Sequence, residues 1–164
     1  MNIFDKINTA VKNRKTYTGG LLQAKVYRII KIFTNEKLRP YHISTIEWAL
    51  IGLLNDNQKG IRPSELAEML GVESPFVTLL IRRLHKLEIV DIKKDTTDNR
   101  VKMVYLTKKG ITMVPKIESF IRSEVGMLVE GISHKDIICY LSVLEKIVKN
   151  SKNLKIKKMT SLKD

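Results

Sequence analysis

The chain is poor in the features that mark a secreted or membrane protein. Of its 164 residues one is cysteine, Cys139, so no disulfide can close within the chain, and a reducing compartment is implied. It contains no run of roughly 18 apolar residues, the length a bilayer-spanning helix needs. The first fifteen residues lack a continuous apolar stretch and carry Asp5, Lys6, Lys12, Arg14 and Lys15, unlike a secretion signal. A soluble cytoplasmic protein is expected. Acidic residues are scarce too: 17 stand against 30 lysines and arginines, a formal charge of +13. An apolar content of 43% at single-domain length is enough for an ordinary core.

The positive charge is unevenly placed. Residues 1–40 carry nine basic and two acidic side chains, 76–110 nine and four, and 146–164 seven and one. The intervening blocks, 41–75 and 111–145, are slightly acidic, each with five acidic groups against two and three basic ones. Basic termini are commonly solvated tails, and the two end blocks are open to that reading. The central block differs, because its charges are interleaved with regular secondary structure, as a folded polyanion-binding surface requires.

Leu22, Val26, Ile29, Ile30 and Phe33 recur at helical spacing, predicting a helix from Gly20 to near Leu38 that Pro40 stops. Ser44 and Glu47 match a capping box, in which hydroxyl and carboxylate satisfy free backbone N–H groups, and a helix from Thr45 to Leu54 follows. A polar loop, 55–60, leads to a short helix with Pro63 in its first turn, Leu66, Ala67 and Leu70 on its apolar face, and Gly71 at its end.

Ser74 and Pro75 open the next helix, with Val77, Leu80, Ile81, Leu84 and Leu87 as its buried stripe. The opposite face presents Phe76, Thr78, Leu79, Arg82, Arg83, His85 and Lys86. After Glu88 the period changes to two, so Ile89–Lys94 and Val101–Leu106 read as a hairpin with a polar, Arg-bearing tip at 95–100. Helical periodicity resumes through Ile111, Val114, Ile121, Val125 and Leu128, and a last helix begins at the Ser133 to Asp136 capping box. The fold class is mainly α with a small β-hairpin wing. Two short helices joined through Gly71 and followed by a hairpin form a winged helix-turn-helix, whose second helix is of a width that fits the DNA major groove.

Over roughly Leu21 to Lys149 the sequence resembles the MarR (multiple antibiotic resistance regulator) family of transcription factors. The most specific match is the wing, where Asp98, Arg100, Leu106 and Thr107, with Gly110 close behind, reproduce the family spacing. Ser64, Glu65, Leu66 and Ala67, then Gly71 and Val72, then Val77, Thr78 and Leu80, support it. The resemblance implies a homodimer whose helices 20–39 and 111–150 interlock, a DNA-binding region at 43–110, and a basic tail at 151–164. It implies a double-stranded DNA partner, a pseudo-palindromic operator read by two recognition helices about 34 Å apart, and repression as the default outcome.

By the same resemblance, Arg100 enters the minor groove, where negative potential favours guanidinium, and Asp98 positions it. Arg82, Arg83 and Lys86 are the candidates for guanine or phosphate contact. Ser74 and Thr78 donate to phosphate or bases, although Ser74 is equally explained as a helix cap. Leu79, Pro75 and Phe76 stand where the family often has polar residues, so Phe76 and Leu79 either pack on thymine methyl groups, giving an A·T-biased site, or pack inside the domain. With about four phosphates neutralised per subunit, the log–log salt slope of a dimer is expected near −7.

Family members often bind small aromatic acids between the dimerisation helices and the winged helix. Tyr27, Tyr41, His42 and Trp48 are the candidate effector pocket, with core packing as the alternative at this spacing. Cys139 is expected to be a buried structural thiol. No enzyme activity, metal site or cofactor is expected: there is no phosphate-binding glycine loop, and His42, His85 and His134 cluster with neither cysteine nor carboxylates. No membrane partner is expected. The competing reading is a winged helix that binds proteins, or nucleic acid without sequence preference, and such a module need not keep Arg100 and a basic recognition face.

Overall fold

The structure, a computed structural model, describes residues 17–95 and 100–160, with side chains described throughout except at 153 and 155–160. Its elements are α1 (Tyr17–Leu38), a 3-10 turn (Arg39–Tyr41), α2 (Thr45–Asp56), α3 (Pro63–Leu70), α4 (Ser74–Lys86), β1 (Val90–Lys94), β2 (Lys102–Leu106), α5 (Lys108–Leu128) and α6 (His134–Thr160). This is the expected mainly helical fold with one antiparallel hairpin. The described residues cluster into two compact units, divided between Val125 and Gly126.

In the first unit local signals end the helices where the sequence placed them. Pro40 converts the end of α1 into a 3-10 turn, which closes on His42 in the left-handed region at φ 56°. Ser44 and Glu47 form the capping box of α2, with the Ser44 N–H donating to Glu47 Oε2 at 2.8 Å. Gly71, at φ 68°, ends α3 in a conformation that glycine adopts at least cost. The core joins Leu38 of α1, Leu50, Ile51 and Leu54 of α2, Leu66 of α3, Val77 and Leu84 of α4, Val90 and Val104 of the hairpin, and Ile117 of α5. Each such side chain contributes about 1.5–3 kcal/mol by leaving water.

A pairing absent from the sequence reading ties the hairpin to the helices. Ile61, in the loop before α3, bridges Val104 through backbone bonds of 3.1 and 2.9 Å. The wing is thereby bonded to the helix-turn-helix through the backbone.

The second unit is dominated by α6, which starts at the Ser133 capping box: the Asp136 N–H donates to Ser133 Oγ at 3.2 Å. It runs to Thr160, so its last turns carry residues expected to begin a basic tail. None of its described residues is buried in the single chain. Cys139 is accordingly exposed, which corrects the expectation of a buried thiol. The helical period of α6 is real, but a stripe is buried only where something covers it. Ile138, Leu141, Ile147 and Val148 are likewise open, as are Leu22, Val26, Ile29 and Ile30 of α1.

Candidate nucleic-acid interface

The α3–turn–α4 unit presents α4 edge-on. Val77, Leu80, Ile81 and Leu84 are buried, and Phe76, Thr78, Leu79, Arg82, Arg83, His85 and Lys86 all face outward. Leu87, expected on the buried stripe, is half-buried at the helix end. Phe76 is 42% and Leu79 59% exposed, so both belong to the open face and neither packs inside the domain. Glu73, not Ser74, is the N-cap residue, and it makes no side-chain capping bond. Ser74 is instead the first helical residue, and its carbonyl accepts the Thr78 hydroxyl at 3.1 Å. Between the helix face and β1, Leu79, Arg82, Arg83, His85, Lys86 and Ile92 line an open groove of about 570 Å³.

In the wing, Val90 pairs with Leu106 and Lys94 with Lys102. Two lysines directly opposite one another repel, a cost that a bound polyanion would reverse. Arg100 is exposed in the turn beside this pair. Asp98 lies outside the described residues. The other members of the wing motif hold the hairpin in place. The Thr107 hydroxyl donates to the Glu88 carbonyl at 2.6 Å and accepts the Gly110 N–H at 3.1 Å. A Cβ on Gly110 would collide with the Ile89 carbonyl oxygen, so α5 can start this close to β1 only with glycine there.

Glu47 was read as a capping residue, and the structure gives it a second task. It is fully buried, and its carboxylate accepts Arg83 Nη1 at 2.9 and 2.7 Å and the Ser44 hydroxyl at 2.7 Å. Arg83 Nη2 also donates to the His42 carbonyl at 2.7 Å. The guanidinium, half exposed on the groove side, thus clamps α4 to the start of α2. Removing Arg83 would strand the buried Glu47 charge, whereas removing Glu47 would leave a guanidinium that water can still reach. The sequence did carry a signal: Glu47 precedes Leu50, Ile51 and Leu54 by three, four and seven residues, which puts an acid on the buried stripe of α2.

The MarR family model matches residues 47–102, from the buried Glu47 to the returning strand of the wing. Over this stretch the chain is similar to the MarR family. Solved structures share the surrounding fold. A MarR-family transcriptional regulator from Rhodococcus sp. RHA1 superposes at a TM-score of 0.74 with 18% identity, over 83% of this chain and 96% of that one. The S. aureus MepR–DNA complex gives 0.71 with 24% identity, over 84% and 99%. CouR from Rhodococcus jostii RHA1, bound to p-coumaroyl-CoA, gives 0.76 with 18% identity, over 83% and 95%.

Behind α4 lies a cavity of about 460 Å³, lined by Pro40, Tyr41, His42, Leu87, Ile89, Lys109, Thr112, Met113 and Lys116. Tyr41 and His42 are thus brought together as expected residues of an effector pocket. Tyr27 and Trp48 are not among its walls: Tyr27 is 62% exposed on α1 beneath the Lys31 ammonium, and Trp48 packs against the core. Lys109, which sequence reasoning missed, donates to the Leu87 carbonyl at the end of α4 at 2.7 Å. Among the described residues no group of histidine, cysteine and carboxylate side chains could hold a metal, and no helix is long and apolar enough to cross a membrane.

Proposed function

We propose that the protein is a sequence-specific, double-stranded-DNA-binding transcriptional repressor that acts as a homodimer in the cytoplasm. One observation carries this reading: a helix face with Arg82 and Lys86 stands beside a wing in which Lys94 and Lys102 are opposed and Arg100 is exposed. Such a surface is electrostatically incomplete without a polyanion. Arg82, Lys86, Ser74 and Thr78 take the major groove edge, Phe76 and Leu79 meet thymine methyl groups, and Arg100, positioned by Asp98, takes the minor groove. The open apolar side chains of α1 and α6 supply the pairing surface for a second copy.

The effector is an anionic aromatic molecule seated in the cavity behind α4, where Lys109, Lys116 and His42 offer cations or donors against the apolar surface of Met113, Ile89 and Tyr41. Its carboxylate competes with the Leu87 carbonyl for Lys109, and so loosens the end of the recognition helix. The test is fluorescence anisotropy of a duplex selected by the protein from a random pool, against a shuffled duplex of equal length, across a salt series. A preference of about a thousandfold or more, saturating at one dimer per duplex, is expected. Equal binding to both duplexes would replace the reading with nonspecific nucleic-acid binding, and absence of binding with a protein-interaction module.

A further inference from the structure

We infer that Arg83 is a positioning residue: through the Glu47 carboxylate and the His42 carbonyl it sets the angle at which α4 is offered to DNA, and it makes no DNA contact itself. The inference rests on the DNA-reading assignment above and deepens it. Arg83 lies on the outward face with Arg82 and Lys86, where sequence alone makes all three candidates for DNA contact and does not separate the two arginines. The geometry separates them. Its Nη1 reaches both oxygens of a carboxylate with no solvent exposure, and its Nη2 holds a backbone carbonyl in the turn that joins α1 to α2.

Two facts oppose a switch of this guanidinium to DNA. A phosphate contact would strand the Glu47 charge in the interior, where the desolvation penalty exceeds what an exposed ion pair returns. The carbonyl it holds also belongs to His42, a non-glycine residue at φ 56°, so the turn is itself held in a less populated conformation by its surroundings. The three contacts act as a brace at the last turn of α4, between Ile81 and Leu84 of its buried stripe. Only the planar fork of arginine can reach carboxylate and carbonyl together; a lysine keeps the charge and loses the brace.

The experiment compares wild type with Arg83→Lys, Arg83→Ala and Glu47→Gln, singly and as Glu47→Gln/Arg83→Lys. It reads affinity for the selected duplex across the salt series and amide hydrogen exchange of α4 without DNA, with melting curves to confirm that each variant is folded at the assay temperature. Arg83→Lys and Glu47→Gln should each lose about tenfold or more in affinity, the double variant no more than either alone, with the salt slope unchanged. Amides of α4 should exchange faster in all of them. Wild-type affinity in Arg83→Lys, an undiminished Glu47→Gln, or a slope flattened by about 2 in Arg83→Ala would overturn the inference and make Arg83 a phosphate contact. Should Arg83→Ala fail to fold, the Lys and Gln variants decide alone. Should wild type select no duplex, the DNA reading fails separately, and unchanged exchange in α4 would then refute the brace.

Discussion

Replacing Arg82 with alanine gives the sharpest quantitative check on how the groove face meets DNA. With Arg83 bonded to Glu47 and Arg100 assigned to the minor groove, four exposed cations are assigned to phosphates: Arg82, Lys86, Lys94 and Lys102. In the proposed dimer they form eight contacts, and counterion release then gives a log–log salt slope of about −7. Arg82→Ala removes one contact per subunit, which brings the slope to about −5.4. Between 50 and 200 mM salt the advantage of wild type over the variant should therefore shrink about tenfold. Arg82 faces outward and the core is untouched, so stability should stay within about 0.5 kcal/mol of wild type. Anisotropy titrations at four or more salt concentrations read both slopes directly. Parallel lines for the two proteins would refute the reasoning, because they would mean that Arg82 displaces no counterions and that α4 does not lie along the phosphate backbone as proposed.

Gly110→Ala should destabilise the first unit by about 2–3 kcal/mol, measured by urea unfolding, because the added methyl meets a backbone carbonyl and not a flexible side chain; a neutral result would mean that α5 can shift away from β1 freely. Leu79→Ala should leave melting unchanged while weakening the preference for A·T at one position of the selected site, read by repeating the selection; an identical site would remove Leu79 from base readout. Lys37 bonds Glu124 at 2.8 Å, and that hydrogen bond raises its pKa above the ordinary 10.5, so the pair contributes stability at neutral pH that is lost as pH rises through the raised value. Glu124→Gln should accordingly melt below wild type at pH 7 and converge with it as pH rises beyond the raised Lys37 pKa; a constant difference would show that the carboxylate acts through packing.

Much of the local architecture was legible in the sequence, because its causes are local. Pro40, the Ser44–Glu47 box, Pro63, Gly71 and the change of period after Glu88 act within a few residues of themselves, and the observed boundaries follow them. The outward face of α4 could be read from spacing alone, since a helix with one covered side must turn the other to water. What failed to carry over depended on partners distant in sequence. Cys139 sits at helical spacing with apolar neighbours, yet none of the described residues of α6 is buried, so periodicity alone misjudged its burial. Tyr27 and Trp48 lie on α1 and α2, neither of which supplies a wall of the cavity, and no count of residues per turn can reveal which elements meet around it.

The contrast is clearest in two neighbouring arginines. Helical spacing is enough to put both Arg82 and Arg83 on the open face of α4, because Val77, Leu80, Ile81 and Leu84 fix which side goes inward. Their difference arises in three dimensions: both line the groove, but Glu47, 36 positions away, comes under Arg83 and pairs with it. Facing is a property of helical period and burial, which the order of residues encodes. Pairing of a buried charge is a property of proximity in space, which arises only when α2 and α4 close on a shared core.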